Sequence, residues 1–260
     1  YENPYCLPFA IVYEEVRLEE EKLNPFEYQN KLYSLLVGEY VELYKPLDYL
    51  VEENKEDHSR FYSIRIPDGN YAVYGNIPWK SNANASLEVN QIYQTAYAKW
   101  LSPSVFYIPH NVQAGNTTAF VELKAEKHDG ICYGEEQFYV LDLDKMNMVS
   151  QILRNRAADI IEVKNGFAVF DVQTSKDMEL YVSIPYNNGW SVTNNGEKVE
   201  TGLFAGCMYS IPLKKGENTI KMTYHLPGVK VGAFGSLCGI LLTIGLFFGE
   251  QYHKIADKKN

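Results

Sequence analysis

The chain has 260 residues, 46% of them hydrophobic, enough for a packed core and for more than one domain. Its formal net charge of −9 excludes nucleic acid as a natural partner, because phosphate binding requires a basic footprint. Four widely spaced cysteines, Cys6, Cys132, Cys207 and Cys238, form no CxxC pair and suggest neither a zinc site nor a disulfide framework.

The chain opens on Tyr1 with no basic, apolar leader pattern, as expected of the later part of a longer polypeptide. The acidic run 19-EEE-21 reads as a solvated face. In 24-NPFEYQNKLYSLLVG-38, Asn24 suits an N-cap, Pro25 the first helical position, and Glu27 the third, where it reaches back to the cap. Tyr28, Leu32, Leu35 and Leu36 share a face, and Gly38 provides a left-handed stop. A helix over 24–37 inside an N-terminal segment 1–57 is expected.

From residue 58 the period becomes two. 61-FYSIRI-66, 71-YAVYGNI-77, 87-LEV-89, 104-SVFYI-108, 119-AFVEL-123 and 137-QFYVL-141 read as strands of a first β-sandwich over 58–142. A linking helix over 143–157 follows, with Asp144 as its cap and Met146, Val149, Ile152 and Leu153 on one face. Strands return at 167–172, 178–184, 190–193, 198–204, 207–211 and 219–224, making a second sandwich over 158–228, with Asn195-Gly196 as a hairpin turn. The two blocks resemble each other. Ile77-Pro78 recurs 107 residues later as Ile184-Pro185, and Ile108-Pro109 recurs 103 residues later as Ile211-Pro212. Leu87 and Val89 align with Trp190 and Val192, and Val121 and Leu123 with Met222 and Tyr224. The expected fold is mainly β: two tandem antiparallel, jelly-roll-like sandwiches with short helices.

The stretch 231-VGAFGSLCGILLTIGLFFG-249 carries no charge. As a helix it spans roughly 28 Å at 1.5 Å per residue, close to the ~30 Å hydrocarbon core. It reads as a transmembrane helix within 229–250, followed by a tail over 251–260. Lys254, Lys258 and Lys259 in that tail favour a cytoplasmic C-terminus, with residues 1–228 outside. Gly228, Gly232, Gly235, Ser236 and Gly239 let neighbouring membrane helices approach closely.

The segments 7-LPFAIVYEEV-16 and 24-NPFEYQNKLYSLLVGE-39 resemble the entry to the large extracytoplasmic region of YfhO-type bacterial membrane proteins. The series 183-SIPYNNGWSVTNNGEKVE-200, 210-SIPLKKGENTIKMTYHLPG-228 and the span after it resemble that family's C-terminus, so the likeness covers nearly the whole chain. The resemblance implies a polytopic GT-C-type glycosyltransferase as parent. Such an enzyme takes sugar from a polyprenyl-phosphate carrier and decorates a cell-envelope polymer such as lipoteichoic acid. The family's essential acidic residue belongs to an upstream loop, so no catalytic residue carries over.

The residues present offer no catalytic motif of their own, no metal set and no cofactor site. Glu27, Gln29 and Asn30 either face substrate or simply cap and pack a helix. Trp79, Tyr186 and Trp190 either stack on sugar rings or fill cores, with Trp79 the better placed for exposure and Trp190 for a core. Two functions follow: an accessory region that positions or covers a glycan acceptor, or a membrane-anchored surface module that binds glycan or protein without transferase activity.

Overall fold

A computed structural model describes residues 3, 5–14, 22–56, 59–77, 85–97, 105–110, 117–125 and 135–257. The chain divides into two compact units, Tyr1–Ala157 and Ala158–Asn260. Each is built on antiparallel sheets, and the protein is mainly β.

The first unit begins with β1 (Ala10–Tyr13) and α1 (Pro25–Val37), followed by β2 (Tyr44–Pro46), β3 (Tyr49–Glu53), β4 (Arg60–Ile66) and β5 (Tyr71–Asn76). It continues through β6 (Ala85–Val89), β7 (Ile92–Tyr97), β8 (Phe106–Ile108), β9 (Thr117–Ala125), β10 (Gln137–Asp142) and α2 (Leu143–Arg154). One sheet runs β3-β4-β9-β6-β7 and the other β2-β10-β5-β8. Period-two alternation turns Tyr62, Ile64, Leu87, Val89, Val121 and Leu123 of the first sheet inward, onto Val73, Ile108, Phe138 and Val140 of the second. These side chains form one buried cluster, each contributing roughly 1.5–3 kcal/mol by leaving water.

An ion pair closes one edge of this core. Arg60 Nη1 donates to Glu136 Oε1 at 2.9 Å, and the Tyr62 hydroxyl donates to the same oxygen at 2.9 Å. The Glu136 side chain is only 5% exposed. Burial, and then the neighbouring carboxylate, pushes the Tyr62 phenol well above its ordinary range.

The helix α1 has the expected capping box: Asn24 Oδ1 accepts from the amides of Phe26 and Glu27, and Glu27 Oε2 accepts from the Asn24 amide. Gly38 ends it at φ +79°. Its buried face, however, is Phe26, Leu35, Leu36 and Val37, while Tyr28 is exposed. Phe26 in the first turn packs on Tyr44 and Tyr139, and the other three buried side chains lie together in the last turn, so the buried residues gather at the two ends of the helix. The cap of α2 is Asp142, whose carboxylate accepts from the Lys145 amide at 2.9 Å, and not Asp144. Asp144 instead accepts from the Asn70 side chain. At the start of the chain, the Val12 amide donates to Arg156 O, and the Arg156 guanidinium donates to Leu36 O, tying β1 to the ends of both helices.

The second unit holds β11 (Asp159–Lys164), β12 (Phe167–Thr174), β13 (Met178–Pro185), β14 (Trp190–Asn194), β15 (Glu197–Lys198), β16 (Gly202–Phe204), β17 (Met208–Leu213), β18 (Gly216–Tyr224) and α3 (Val229–Asp257). The expected strand over 198–204 is thus two short strands, β15 and β16, which lie in different sheets. One sheet runs β11-β12-β18-β14-β15, and β13, β17 and β16 pair in the other. Phe170, Val192, Ile220 and Met222 of one sheet and Leu180, Val182, Tyr209 and Ile211 of the other are buried.

The order β11-β12-β18-β14-β15 repeats β3-β4-β9-β6-β7 strand for strand. The residue registers agree with the internal repeat read from sequence. Leu87 pairs with Leu123 where Trp190 pairs with Tyr224, and Val89 with Val121 where Val192 pairs with Met222. Val73 pairs with Ile108 where Leu180 pairs with Ile211. Each unit also turns between its equivalent strands on two left-handed residues, Asn90-Gln91 and Asn195-Gly196. Both asparagines anchor the central strand: Asn90 Oδ1 accepts from the Phe120 amide at 2.9 Å, and Asn195 Oδ1 from the Thr219 amide at 2.8 Å.

From Val231 to Phe248 the mean hydropathy of α3 is 2.1 and none of the segment is buried. An apolar surface on all sides of a helix suits lipid, not water. Residues facing Gly232, Gly235 and Gly239 are absent within 4 Å among the described residues.

Two stability effects are expected. Arg60→Ala removes the cation beside the buried Glu136 carboxylate, leaving the Tyr62 hydroxyl on it, and should cost about 2–3 kcal/mol in urea unfolding; a loss under about 1 kcal/mol would show that the pair is dispensable. Gln91 adopts φ 65°, where a side chain is strained, so Gln91→Gly should stabilise by about 0.5–1 kcal/mol. An unchanged or lower melting temperature would refute that.

Candidate functional site

In the first unit, Asn30 of α1 fixes the strand that follows. Its Oδ1 accepts from the amides of Leu43 and Tyr44 at 2.9 and 2.8 Å, and its Nδ2 donates to Tyr44 O at 2.8 Å. With Val41 and Leu43 buried, alternation places Tyr40, Glu42 and Tyr44 on the opposite side. A cleft of about 500 Å³ results, lined chiefly by Glu27, Lys31, Tyr40, Glu42, Tyr44 and Tyr139. Tyr40 is 80% exposed.

The cleft continues as a row of tyrosines. Registers place Tyr139, Tyr74 and Tyr107 side by side across β10, β5 and β8, on the outer face of their sheet. Phe26 stacks on Tyr139 at 4.4 Å between centroids, and Asn24 Nδ2 donates to the Tyr139 hydroxyl at 2.9 Å. Tyr74 lies 6.2 Å from Tyr44 and 5.7 Å from Tyr107. Burial, then the neighbouring Tyr74 and Tyr33, pushes Tyr44 up to about 12. Burial likewise raises Tyr74 and Tyr139. Tyr44, Tyr74 and Tyr139 thus resist ionisation at alkaline pH more than an ordinary phenol does, and a neutral phenol can donate and accept hydrogen bonds.

A second cleft of about 500 Å³ lies within the second unit, where β18 passes into α3. Trp190, Ser191, Lys198, His225, Leu226 and Val231 are among its walls. The Trp190 ring sits 5.3 Å from Tyr224. Gly189 permits this: a Cβ there would come within 2.5 Å of the Tyr224 ring and 2.8 Å of the His225 carbonyl oxygen. The His225 amide donates to Gly189 O at 2.7 Å, joining the strand end to the loop before Trp190.

Of the residues singled out in the sequence, Glu27 and Asn30 come together in the first cleft. The Asn30 amide is committed to the backbone of 43–44, and one Glu27 oxygen is committed to the cap. Gln29 is exposed but lies outside the cleft lining. Trp190 borders the second cleft, half-buried on the core side of β14. Tyr186 is exposed, with its ring 5.0 Å from Tyr209, and does not line that cleft. Trp79 lies outside the described residues. Sequence reading missed Tyr40, Glu42 and Tyr44, although their alternation with Val41 and Leu43 signals them, and it missed the row Tyr139–Tyr74–Tyr107. Among the described residues, no three His, Cys, Asp or Glu side chains are grouped as metal ligands.

The raised phenols have a measurable consequence. A tyrosine whose folded pKa exceeds its unfolded value of 10 stabilises the fold fully below that value, and the contribution is lost as pH climbs toward about 12. The melting temperature should stay level up to about pH 9.5 and fall beyond it, with part of the absorbance change at 295 nm delayed toward pH 12. A single tyrosine titration step centred near pH 10 would contradict the buried row.

The model of the family described as bacterial membrane protein YfhO matches residues 1–236. The curated protein YfhO of Bacillus subtilis (strain 168) is 31% identical over 97 residues, which cover 36% of this chain and 11% of that protein. The match therefore spans about a tenth of the relative's length. Among solved structures, a cycloisomaltooligosaccharide glucanotransferase of Paenibacillus sp., complexed with cycloisomaltoheptaose, aligns at 7% identity and TM-score 0.22 over 68% of this chain and 44% of its own. A calcium-binding mutant of β-glucuronidase 2 from Bacteroides uniformis aligns at 11% identity and TM-score 0.25 over 71% and 24%. Likenesses that slight carry no structural or functional argument. The match over residues 1–236, on a β-rich chain that ends in an apolar helix, is decisive: the chain belongs to the YfhO family of bacterial membrane proteins.

Proposed function

We propose that this chain is the non-catalytic extracytoplasmic region of a membrane glycosyltransferase, and that its first unit holds the glycan acceptor. The donor would be a polyprenyl-phosphate-linked sugar, the acceptor a cell-envelope polymer such as lipoteichoic acid, and the reacting groups would lie elsewhere in the full-length protein. Membership of the YfhO family and the apolar helix support a membrane setting. On this reading residues 1–228 lie outside, the lysine-bearing C-terminus lies in the cytoplasm, and α3 packs against further membrane helices.

The observation that carries the acceptor role is the tyrosine row and the cleft at its end. Phenol rings offer flat apolar faces to the C–H faces of sugar rings, and they do so at little cost in side-chain entropy. Glu42, and the Glu27 oxygen not engaged at the cap, can accept hydrogen bonds from sugar hydroxyls. Because the phenols stay neutral, they add donors without adding charge. The combination suits a polyhydroxylated chain that has to be held but also released after each transfer.

In the full-length protein, Tyr40→Ala and Tyr107→Ala should each weaken acceptor binding about five- to tenfold, corresponding to ~1–1.4 kcal/mol per lost ring. Glycosylation of the polymer in the host should fall at unchanged protein level. Deleting the gene and finding the polymer's glycosylation intact would sink the transferase reading. Glycan binding by the purified protein, together with intact glycosylation in the deletion strain, would indicate a membrane-anchored module without transferase activity.

A further inference from the structure

We propose that the cleft at the junction of β18 and α3 binds the headgroup of an anionic membrane phospholipid, with Lys198 and His225 contacting its phosphodiester. The position of the cleft comes first. Val231, which starts the apolar segment of α3, is one of its walls, as are Pro227 and Gly228. Only residues 225–228 separate the last strand from the helix. A helix that enters lipid at Val231 thus brings this cleft to the depth of the headgroups.

Charge comes second. The chain as a whole carries −9, yet among the described residues the lining includes Lys198 and His225 and no carboxylate. Both side chains are exposed, and neither forms an ion pair among the described residues. The first unit's cleft, by contrast, sets the two carboxylates of Glu27 and Glu42 against one cation, Lys31, a balance that disfavours a phosphate. Ser191 and Asn188 add short polar groups to the cationic cleft, and Leu226 and Val231 add apolar surface for the acyl end of a headgroup.

The internal repeat supplies an independent argument. The ladder pair Trp190–Tyr224 corresponds to Leu87–Leu123, which is completely buried. Aromatics with a polar edge replace aliphatics in the unit that continues into the membrane helix. Tryptophan and tyrosine favour the bilayer interface, where an apolar ring and a polar edge are satisfied together. A core requirement alone would be met by leucines, as the first unit demonstrates.

The site can be tested on the full chain in neutral detergent micelles, following Trp190 fluorescence while short-chain phosphatidylglycerol is titrated in. Trp190→Phe identifies the share of the signal that belongs to Trp190. A saturable change is expected with phosphatidylglycerol and not with phosphatidylcholine. Lys198→Gln and His225→Gln should each weaken it roughly fivefold, and Lys198→Arg should retain it. Both side chains are exposed, so an unchanged circular dichroism melt is expected and shows that the fold is intact. Equal response to the two lipids, or full affinity in both glutamine variants, overturns the proposal. So does inorganic phosphate competing at the same concentration as the lipid. Acceptor binding at Tyr40 and Tyr107 is measured separately, so either reading can fail without the other.

Discussion

The placement of the central strand of each five-stranded sheet governs everything else in that sheet. β18 hydrogen-bonds to β12 on one side and β14 on the other, joining segments that are remote in sequence. β9 does the same between β4 and β6. Slipping either strand by one residue would turn its buried side chains to solvent and its polar ones into the core. The strands thus need a registration device, and both units have the same one. An asparagine in a left-handed turn binds the backbone of the central strand through its side chain as well as its main chain. In the second unit Asn218 reinforces it: buried, it accepts from the Asn194 side chain and the Lys214 amide and donates to Lys214 O.

Register also decides where the chemistry lies. In the first unit, the pairing of Tyr139 with Tyr74, and Tyr74 with Tyr107, creates a row that exists only because three strands are aligned to the residue. In the second, the pairing of Trp190 with Tyr224 puts two aromatic rings at the end of the strand from which the membrane helix departs. The five-stranded sheets share one strand order, and the units differ in what surrounds those sheets. The first unit carries α1, β2 and β10 beside its repeated strands, and α1 covers part of the outer sheet face through the Phe26–Tyr139 stack. The second carries α3.

The parts of the fold that were legible in sequence were those with local causes. The capping box of α1 is a short-range exchange of hydrogen bonds, written in Asn24, Pro25 and Glu27. The internal repeat was readable because turn residues and strand phase survive together. The cap of α2 was placed at Asp144 because a carboxylate there fits as well on sequence alone; the last residue of β10, Asp142, holds the role because the strand delivers it into line with the Lys145 amide. β3 and β11 escaped notice for a different reason. As edge strands they expose both faces, with Leu50, Val51, Ile160, Ile161 and Val163 all open to solvent, so the usual apolar–polar alternation is missing. The tyrosine row was invisible because no local pattern encodes cross-strand neighbours 30 or more residues apart.

The two clefts differ in charge in a way that the net charge of the chain does not reveal. Net charge describes the average field, while binding depends on the few groups within a Debye length of about 8–10 Å. Around the first cleft, two carboxylates, one lysine and the phenols favour hydroxyl-rich partners over anions. Among the described residues that line the second, Lys198 and His225 are present and no carboxylate is, at the mouth of a segment apolar enough to enter lipid. Fixing the second cleft to a membrane surface would restrain the unit that carries α3 more than the helix alone does, because interfacial anchors beside a membrane helix help to set its tilt and rotation. A headgroup contact beside the helix gives a second point of attachment, and two points define an orientation where one does not.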